Sequence, residues 1–209
     1  AQEVTLQVND EKEIKPLKEV VESLSSYSTA QLSSKEIDYS RALLQTETKE
    51  VGKQKVQIHR LSIPRGETFK VVLSEGTEVF LNSDSRLAYP TVFKGKERVV
   101  SLEGEAYFKV AKDAAHPFIV KSGNLQIRVL GTEFNVRSYS PTDVRVTLIT
   151  GKVAVSDTCG VHSVEMVPGQ SVQLSSDGTF AVNEVDIESF LYWKEGFFYF
   201  DDVALVDMM

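Results

Sequence analysis

Glycines recur along this chain at nearly regular intervals, and their spacing constrains the fold more than any other feature. Eleven of the twelve glycines lie at or after Gly66, and most gaps between them are close to nine residues or twice that number. Short strands separated by turn signals about every 8 to 12 residues are typical of sandwiches, barrels and rolls. The spacing therefore predicts a mainly β domain.

Between the glycines, apolar and polar residues alternate. The alternation is clear over residues 125–129, 144–148 and 153–155, and it places apolar side chains on one face of each strand. Such a face stabilises a protein only when a second layer covers it. We therefore expect a layered antiparallel or solenoid-like β sandwich or roll, with short helices near the termini. The absence of a residue-level repeat leaves sandwich and solenoid both open.

Residues 1–55 differ from the rest, since the first 50 residues contain no glycine and are rich in Lys, Glu, Ser and Gln. Two interpretations of this amino-terminal arm stay open. Helical spacing after Pro16, which suits a first helical turn, predicts a short amphipathic helix built on Leu17, Val20, Val21 and Leu24. Alternation of Val4, Leu6 and Val8 instead predicts an extended arm packed on the β domain.

The remaining chain divides into an all-β domain over residues 56–185 and a mixed segment over residues 186–209. Asp186 is a plausible cap for a short helix that ends at Gly196. A dense aromatic strand follows, formed by Phe197, Phe198, Tyr199 and Phe200. A second helix begins near Val203, and its apolar stripe is cut short by the end of the chain, which suggests a boundary inside a larger protein.

Charge and composition exclude several classes of function. The formal net charge is −7, from 23 basic and 30 acidic residues, so the chain lacks the basic footprint needed for nucleic acid or anionic lipid. No apolar stretch approaches the roughly 18 to 20 residues of a membrane span, and no signal peptide is recognisable. A hydrophobic content of 42% is compatible with a folded core.

The sequence offers no recognisable catalytic, cofactor or metal site. His59, His116, His162 and the single cysteine, Cys159, are scattered without ligand spacing, whereas a structural zinc site needs about four nitrogen or sulfur ligands. No nucleophile elbow of the G-x-S-x-G type and no phosphate-binding loop is present. We therefore expect no enzyme activity, no cofactor and no bound metal.

Two glycine-centred segments are predicted turns. Glu75-Gly76-Thr77 has the pattern of a two-residue hairpin turn, in which glycine supplies the positive φ. Gly104, between Glu103 and Glu105, is predicted to form a turn that leads into a buried strand. The two carboxylates could act as a catalytic pair if they flanked a substrate, but the predicted turn favours solvated or backbone-bonded carboxylates.

A series of short motifs follows in order from residue 60 onward. They are Pro64-Arg65-Gly66, the segment from Leu73 to Asn82, Tyr89-Pro90 with Phe93, Arg98 to Val110, Pro117 to Val120, Val129 to Val136, Thr147 to Val153, Pro168 to Gln170, and Trp193 to Gly196. Each motif alone is weakly diagnostic. Together they resemble the FecR family of anti-sigma regulators, in the form common in Bacteroidetes, with Glu75 and Phe80 replacing the family's usual Asp and Trp.

The resemblance implies structural roles for a set of motif residues. These are Gly76, Thr77, Asn82, Gly104, Glu105, Tyr107, Phe108, Gly131, Thr132, Phe134, Asn135, Trp193 and Gly196. It also implies the periplasmic domain of a single-pass inner-membrane protein, with the membrane anchor and the cytoplasmic domain that binds an extracytoplasmic-function sigma factor both outside this chain. Residues 1–55 would then follow the membrane span.

The implied partner is the amino-terminal signalling domain of a TonB-dependent outer-membrane transporter. Strand addition at an exposed sheet edge is the expected docking mode, and Phe197 to Phe200 is the candidate docking strand. An alternative is an extracytoplasmic carbohydrate-binding module without catalysis. That alternative requires a row of exposed aromatic residues, whereas most aromatic residues here occupy alternating apolar positions.

Overall fold

The computed structural model describes residues 3–9, 14–24, 31–33, 35–40, 56–174 and 179–187. The elements that precede the long central strand are β1 (Thr5–Val8), β2 (Lys15–Pro16), α1 (Leu17–Leu24), β3 (Gln31–Leu32), β4 (Glu36–Asp38), β5 (Ile58–Ile63), β6 (Phe69–Val72), β7 (Glu78–Leu81) and β8 (Ser85–Pro90). The rest are β9 (Arg98–Lys109), β10 (Phe118–Ser122), β11 (Leu125–Val129), β12 (Glu133–Ser140), β13 (Asp143–Thr150), β14 (Val153–Asp157), β15 (Ser163–Met166), β16 (Gln170–Leu174) and β17 (Phe180–Glu184). The mainly β fold predicted from the sequence is confirmed.

The strands form two sheets that share β9. Sheet A has the order β2-β1-β5-β8-β9-β10-β11-β14-β15. Sheet B has the order β3-β4-β6-β7-β9-β12-β13-β16-β17. Neighbouring strands are antiparallel except for the parallel pairs β9–β10 and β4–β6. The arrangement is a sandwich in which one strand belongs to both layers.

The strand β9 passes from one sheet to the other at Gly104. Residues before this glycine pair with β8 and β10, and residues from it onward pair with β7 and β12. The turn predicted at Gly104 is therefore wrong, because the strand continues through all twelve residues. A positive φ of 93° bends the strand at this point without ending it, and glycine adopts that φ at little cost.

The inner faces of the sheets meet in one apolar core. Phe108 of sheet B packs against Phe118 of sheet A with ring centroids 6.2 Å apart, and it stacks on Phe134 of the neighbouring strand at 5.1 Å. All three rings are fully buried. The alternation that predicted half-buried strands is present over Leu125–Val129, whose odd-numbered residues lie inside. Each sheet covers the apolar inner face of the other, and this provides the second layer that the alternating strands require.

The amino-terminal arm contributes to both sheets and contains both of the structures that its sequence allowed. β1 pairs with β5 at one edge of sheet A, and Leu6 is buried there with 1% exposed. The helix α1 follows Pro16, and Leu17 and Val20 pack into the core. β4 joins sheet B through β6 and buries Ile37. The arm is therefore part of the sandwich.

The hairpin between β6 and β7 differs from the predicted two-residue turn. The Gly76 amide donates to the Leu73 carbonyl at 2.9 Å, and the Leu73 amide donates to the Thr77 carbonyl at 2.8 Å. The loop therefore has three residues, Ser74 to Gly76. Glycine at the third loop position has φ 88°, the left-handed conformation that three-residue hairpins require.

Candidate functional site

The carboxylate of Glu105 lies at the centre of the motif residues. Its two oxygens accept hydrogen bonds from the side-chain amides of Asn82 at 3.0 Å and Asn135 at 2.9 Å. The backbone amide of Asn82 also donates to the backbone carbonyl of Glu105 at 2.9 Å. These contacts join the end of β7, the middle of β9 and the start of β12. They fix the three strands of sheet B next to the crossing point of β9.

Ser85 completes this Glu105 cluster from sheet A. Its hydroxyl accepts a hydrogen bond from the Glu105 amide at 2.9 Å. A Cβ atom at Gly104 would lie 2.7 Å from the Ser85 Cα and 2.4 Å from its Oγ. Only a glycine therefore allows the two strands to approach so closely. The cluster is an internal support for the crossing of β9 between the sheets.

The aromatic motif residues point to opposite faces of β9. Phe108 is part of the core, whereas Tyr107 donates from its hydroxyl to Glu133 at 2.6 Å. Burial, together with the negative charge of Glu133, raises the pKa of Tyr107. Phe80 packs edge-on against Tyr107 with centroids 5.9 Å apart. Tyr107 and Phe108 therefore both form contacts inside the protein in the described structure.

Two motif threonines form hydrogen bonds with backbone groups, one just beyond the end of β9 and one between β13 and β14. The Thr77 side-chain oxygen accepts from the Ala111 amide at 3.1 Å. The Thr132 hydroxyl donates to the Lys152 carbonyl at 2.9 Å. Gly131, beside Thr132, approaches the backbone of Lys112 so closely that an added Cβ would lie 2.8 Å from its Cα. The motif residues quoted from the sequence thus hold loops and strands against each other.

A buried polar cluster that the sequence did not reveal fastens the arm to the sandwich. The Tyr89 hydroxyl donates to the Tyr39 hydroxyl at 3.1 Å, and Tyr39 contacts Nδ1 of His59 at 2.8 Å. All three side chains are at most 1% exposed. Burial lowers the pKa of His59 to about 4, so the imidazole is neutral and accepts the Tyr39 proton. Sequence spacing gave no signal, since Tyr39 precedes His59 by 20 residues.

A buried arginine is the second feature that the sequence did not reveal. Arg98, with 3% of its side chain exposed, donates to the carbonyls of His116 at 2.8 Å and Ala111 at 3.0 Å. It also contacts Glu75 at 3.4 Å and lies 5.3 Å from the centre of the Phe118 ring. Burial raises the pKa of Glu75, and the hydrogen bond from Thr77 and the positive charge of Arg98 partly offset this rise. Arg98 therefore anchors the loop between β9 and β10.

The side chains considered for chemistry have separate structural partners. Glu103 pairs with Arg86 at 3.2 Å, apart from the amides that hold Glu105. His116 bonds Asp113 at 2.8 Å and His162 bonds Asp157 at 2.9 Å, each within its own loop. Within the described ranges, no group of three or more His, Cys, Asp or Glu residues could hold a metal ion. Cys159 is exposed.

The described sheet edges are places where a partner strand could add to the sheets. Within the described residues, sheet A ends at β2 and β15, and sheet B ends at β3 and β17. β17 is exposed over most of its length. The predicted docking strand Phe197 to Phe200, together with Trp193 and Gly196, lies outside the described residues. No described helix is long and apolar enough to cross a membrane.

Comparison with known proteins identifies the family. The family described as FecR protein matches residues 59–154. A crystal structure at 2.50 Å of a putative anti-sigma factor from Parabacteroides distasonis is 31% identical, covers 72% of this chain and 71% of its own, and has a TM-score of 0.65. A second structure of a putative anti-sigma factor from that organism, at 1.65 Å, is also 31% identical, with coverages of 71% and 70% and a TM-score of 0.64.

The matched region runs from the second residue of β5 to the first two residues of β14, and it therefore contains the shared strand and the Glu105 cluster. Among curated proteins, none matches the sequence significantly. The identity and coverage of the solved structures, together with the family match, establish that this chain belongs to the FecR family. The resemblance predicted from the sequence motifs is confirmed.

Proposed function

We propose that this chain is the sensing and relay domain of a transmembrane anti-sigma regulator. The observation that carries the proposal is its 31% identity, over 72% of the chain, to a protein described as a putative anti-sigma factor. The motif residues support it, since the side-chain amides of Asn82 and Asn135 both donate to the Glu105 carboxylate in the described structure. Such a framework suits a rigid module that another protein contacts.

The proposed partners follow from the family resemblance. The amino-terminal signalling domain of a TonB-dependent outer-membrane transporter delivers the signal to this domain in the periplasm. A cytoplasmic domain and a membrane anchor, both outside this chain, then relay the signal to an extracytoplasmic-function sigma factor. The acidic net charge of −7 favours a protein partner over nucleic acid.

The domain works by docking and carries out no catalysis. This part of the proposal is supported by the two carboxylates that could have formed a catalytic pair. Both oxygens of Glu105 accept amide hydrogen bonds, whereas Glu103 is an exposed residue that pairs with Arg86 away from these amides. A general acid or base must instead reach its substrate directly or through one water.

Strand addition at a sheet edge is the proposed docking mode, because an edge offers unpaired backbone donors and acceptors to an extended segment. Phe197 to Phe200 stays the proposed docking strand on sequence grounds. Of the described edges, β2 contains Pro16, which has no amide proton. β15 and β17 are longer, with four and five residues respectively, and are therefore better candidates than β2.

The proposal is tested by titrating the chain with the signalling domain of the transporter encoded beside it, using isothermal calorimetry. We expect saturable binding by that domain and none by a signalling domain from an unrelated transporter. A reporter driven by the sigma factor, in cells that carry the full-length regulator, should respond to the transporter's substrate. No binding to the genetically paired domain, combined with an unresponsive reporter, contradicts the proposal.

A further inference from the structure

One row of side chains on the outer face of sheet B is buried. The strand register places Tyr107 of β9, Asn135 of β12, Thr147 of β13 and Ser171 of β16 side by side. The row faces away from the core, because side chains alternate along a strand and Phe108, next to Tyr107, points into the core. All four residues of the row are nevertheless between 1% and 5% exposed. An antiparallel sheet commonly leaves such a face to water.

The same strand shows that sheet geometry alone does not bury an outward side chain. In its sheet A half, β9 carries Ser101 on the outer face, and Ser101 pairs with Lys121 of β10. Both of these residues are exposed. The burial of the row on sheet B therefore indicates a further layer of protein over this part of the sheet.

The described helix does not provide that layer. α1 packs beside β1 and β2 at the edge of sheet A. The two longest stretches outside the described residues are 41–55 and 188–209. Residues 188–209 contain seven aromatic residues, whereas residues 41–55 contain none. An apolar layer is therefore far better supplied by the carboxy-terminal stretch.

The described end of the chain leads to the buried row. β17 is paired with β16 at the edge of sheet B, and the Val185 amide then donates to the Gly169 carbonyl at 2.9 Å. The Gly169 amide in turn donates to the Leu148 carbonyl at 3.0 Å. Ile149 follows on the outer face with only 8% exposed, and Ile187 packs against the buried cluster. The chain thus leaves β17 beside one end of the covered area.

We propose that residues 188–196 cross the outer face of sheet B and cover this row. The four strands β9, β12, β13 and β16 span about 14 Å at their usual separation. The helix predicted from Asp186 to Gly196 would be about 15 Å long. Ile187, Phe190 and Leu191 lie on one side of such a helix, which supplies the apolar contact. The inference does not depend on the proposed function and leaves Phe197 to Phe200 outside the cover.

A buried acceptor in the row fits the same proposal. The Oδ1 atom of Asn135 accepts no hydrogen bond from the described residues, although the side-chain amide of Asn135 donates to Glu105. Buried polar atoms of this kind are normally satisfied. A segment that lies across the row can supply the missing donor, directly or through a water.

Protection of an introduced thiol measures the cover. Cys159, the only cysteine of the chain, is first replaced by serine. Ser171→Cys then places a thiol in the covered row, and Ser101→Cys places one at the exposed position on sheet A. We expect Ser171→Cys to react with a bulky disulfide reagent at least about tenfold more slowly, because reaction requires the cover to open. Equal rates contradict the proposal.

Two pairs of substitutions identify the covering segment. Phe190→Ala with Leu191→Ala removes the apolar contacts, so Ser171→Cys should then react nearly as fast as Ser101→Cys. Leu43→Ala with Leu44→Ala changes the other long stretch and should leave the rate unchanged. Circular dichroism checks that the sheets are retained in each variant. The proposal fails if only the second pair exposes the thiol, or if neither pair does.

Trp193 provides a readout that needs no substitution, since it is the only tryptophan of the chain. Its fluorescence should be quenched by acrylamide less in the native chain than in the chain unfolded by urea. Equal quenching in the two states would mean that the segment does not pack on the sheet. This measurement also decides the question if the alanine variants do not fold.

Discussion

At the scale of single residues, the contact between Gly104 and Ser85 determines whether β9 can belong to both sheets. The strand has to bend there and also approach β8, so that the Ser85 hydroxyl reaches the Glu105 amide. Two separate costs would follow from adding a side chain at Gly104: backbone strain from the positive φ and overlap with the Ser85 backbone. The structure allows these costs to be measured separately.

Gly104→Ala should lower the free energy of unfolding by about 2 to 5 kcal/mol, the sum of left-handed strain and overpacking. Gly160 has φ 70° with no atom within 4 Å of an added Cβ. Gly160→Ala should therefore cost only the strain, about 1 to 2 kcal/mol. Chemical denaturation of both variants measures the difference. Equal losses would show that the approach to Ser85 imposes no constraint.

The Glu105 cluster marks the limit of prediction from sequence at this scale. The sequence identified Asn82, Glu105 and Asn135 as members of separate motifs. It could not show that both asparagine side chains donate to the Glu105 carboxylate, because they lie 23 and 30 residues from Glu105 along the chain. Such bonding depends on which strands pair and in what register, and a single motif does not identify its distant partner strand. The buried contacts of His59 and Arg98 could not be predicted for the same reason.

At the scale of elements, the amino-terminal arm behaves as a structural part of the sandwich. The sequence supported a helix and an extended strand with equal force, and the structure uses residues 5–8 for the strand and residues 17–24 for the helix. The helical spacing and the alternating apolar residues each indicate a structure that is present, but neither pattern shows that the arm contains both. Pairing with β5 and β6, which lie far along the chain, decided the outcome.

The arm should contribute measurably to stability through its buried residues. Ile37 in β4 is fully buried, whereas Ile14 is 62% exposed. Ile37→Ala should lower the free energy of unfolding by about 2 to 5 kcal/mol, the range for deleting a buried aliphatic side chain. Ile14→Ala should change it by less than about 0.5 kcal/mol, as is usual for surface positions. Thermal or urea unfolding of the pair tests this, and equal effects would mean that the arm is not docked in solution.

The Tyr39–His59–Tyr89 cluster should make the stability of the domain depend on pH, because burial lowers the pKa of His59. The unfolded chain binds a proton at His59 near the ordinary pKa of about 6.5, whereas the buried imidazole resists protonation until pH is about 4. Protons therefore bind preferentially to the unfolded state between these values. The neutral imidazole therefore contributes fully to the free energy of unfolding above about pH 6.5. This contribution is lost as the pH falls toward about 4, by a few kcal/mol in total.

His59→Gln should flatten the dependence of the unfolding free energy on pH between about 6.5 and 4, relative to the wild-type chain. Glutamine has no charged form and can still accept the Tyr39 proton. His162→Gln, which replaces an exposed histidine, provides the reference for removing a surface imidazole. Denaturant titrations at several pH values measure the slopes. An unchanged slope in His59→Gln would show that the cluster does not control stability in this window.

At the scale of the whole molecule, the shared strand makes the two sheets one unit. The glycine spacing and the alternating apolar residues predicted a layered β fold. They did not predict that a single strand crosses between layers, because Gly104 has the same local signature in a turn and in a bent strand. The distinction comes from the pairing partners on each side of the glycine. Since β9 is central in both sheets, neither layer is complete without it.

We therefore expect the sheets to unfold together. Leu102, in the sheet A half of β9, is 2% exposed. Leu102→Ala should lower the protection of the slowest-exchanging amides by about 2 to 5 kcal/mol. The loss should be equal in β10 and β11 of sheet A and in β12 and β13 of sheet B. Hydrogen exchange resolved by residue provides the measurement, with Ser101→Ala, an exposed position on the same strand, as the control. A loss confined to sheet A would mean that the two layers open independently.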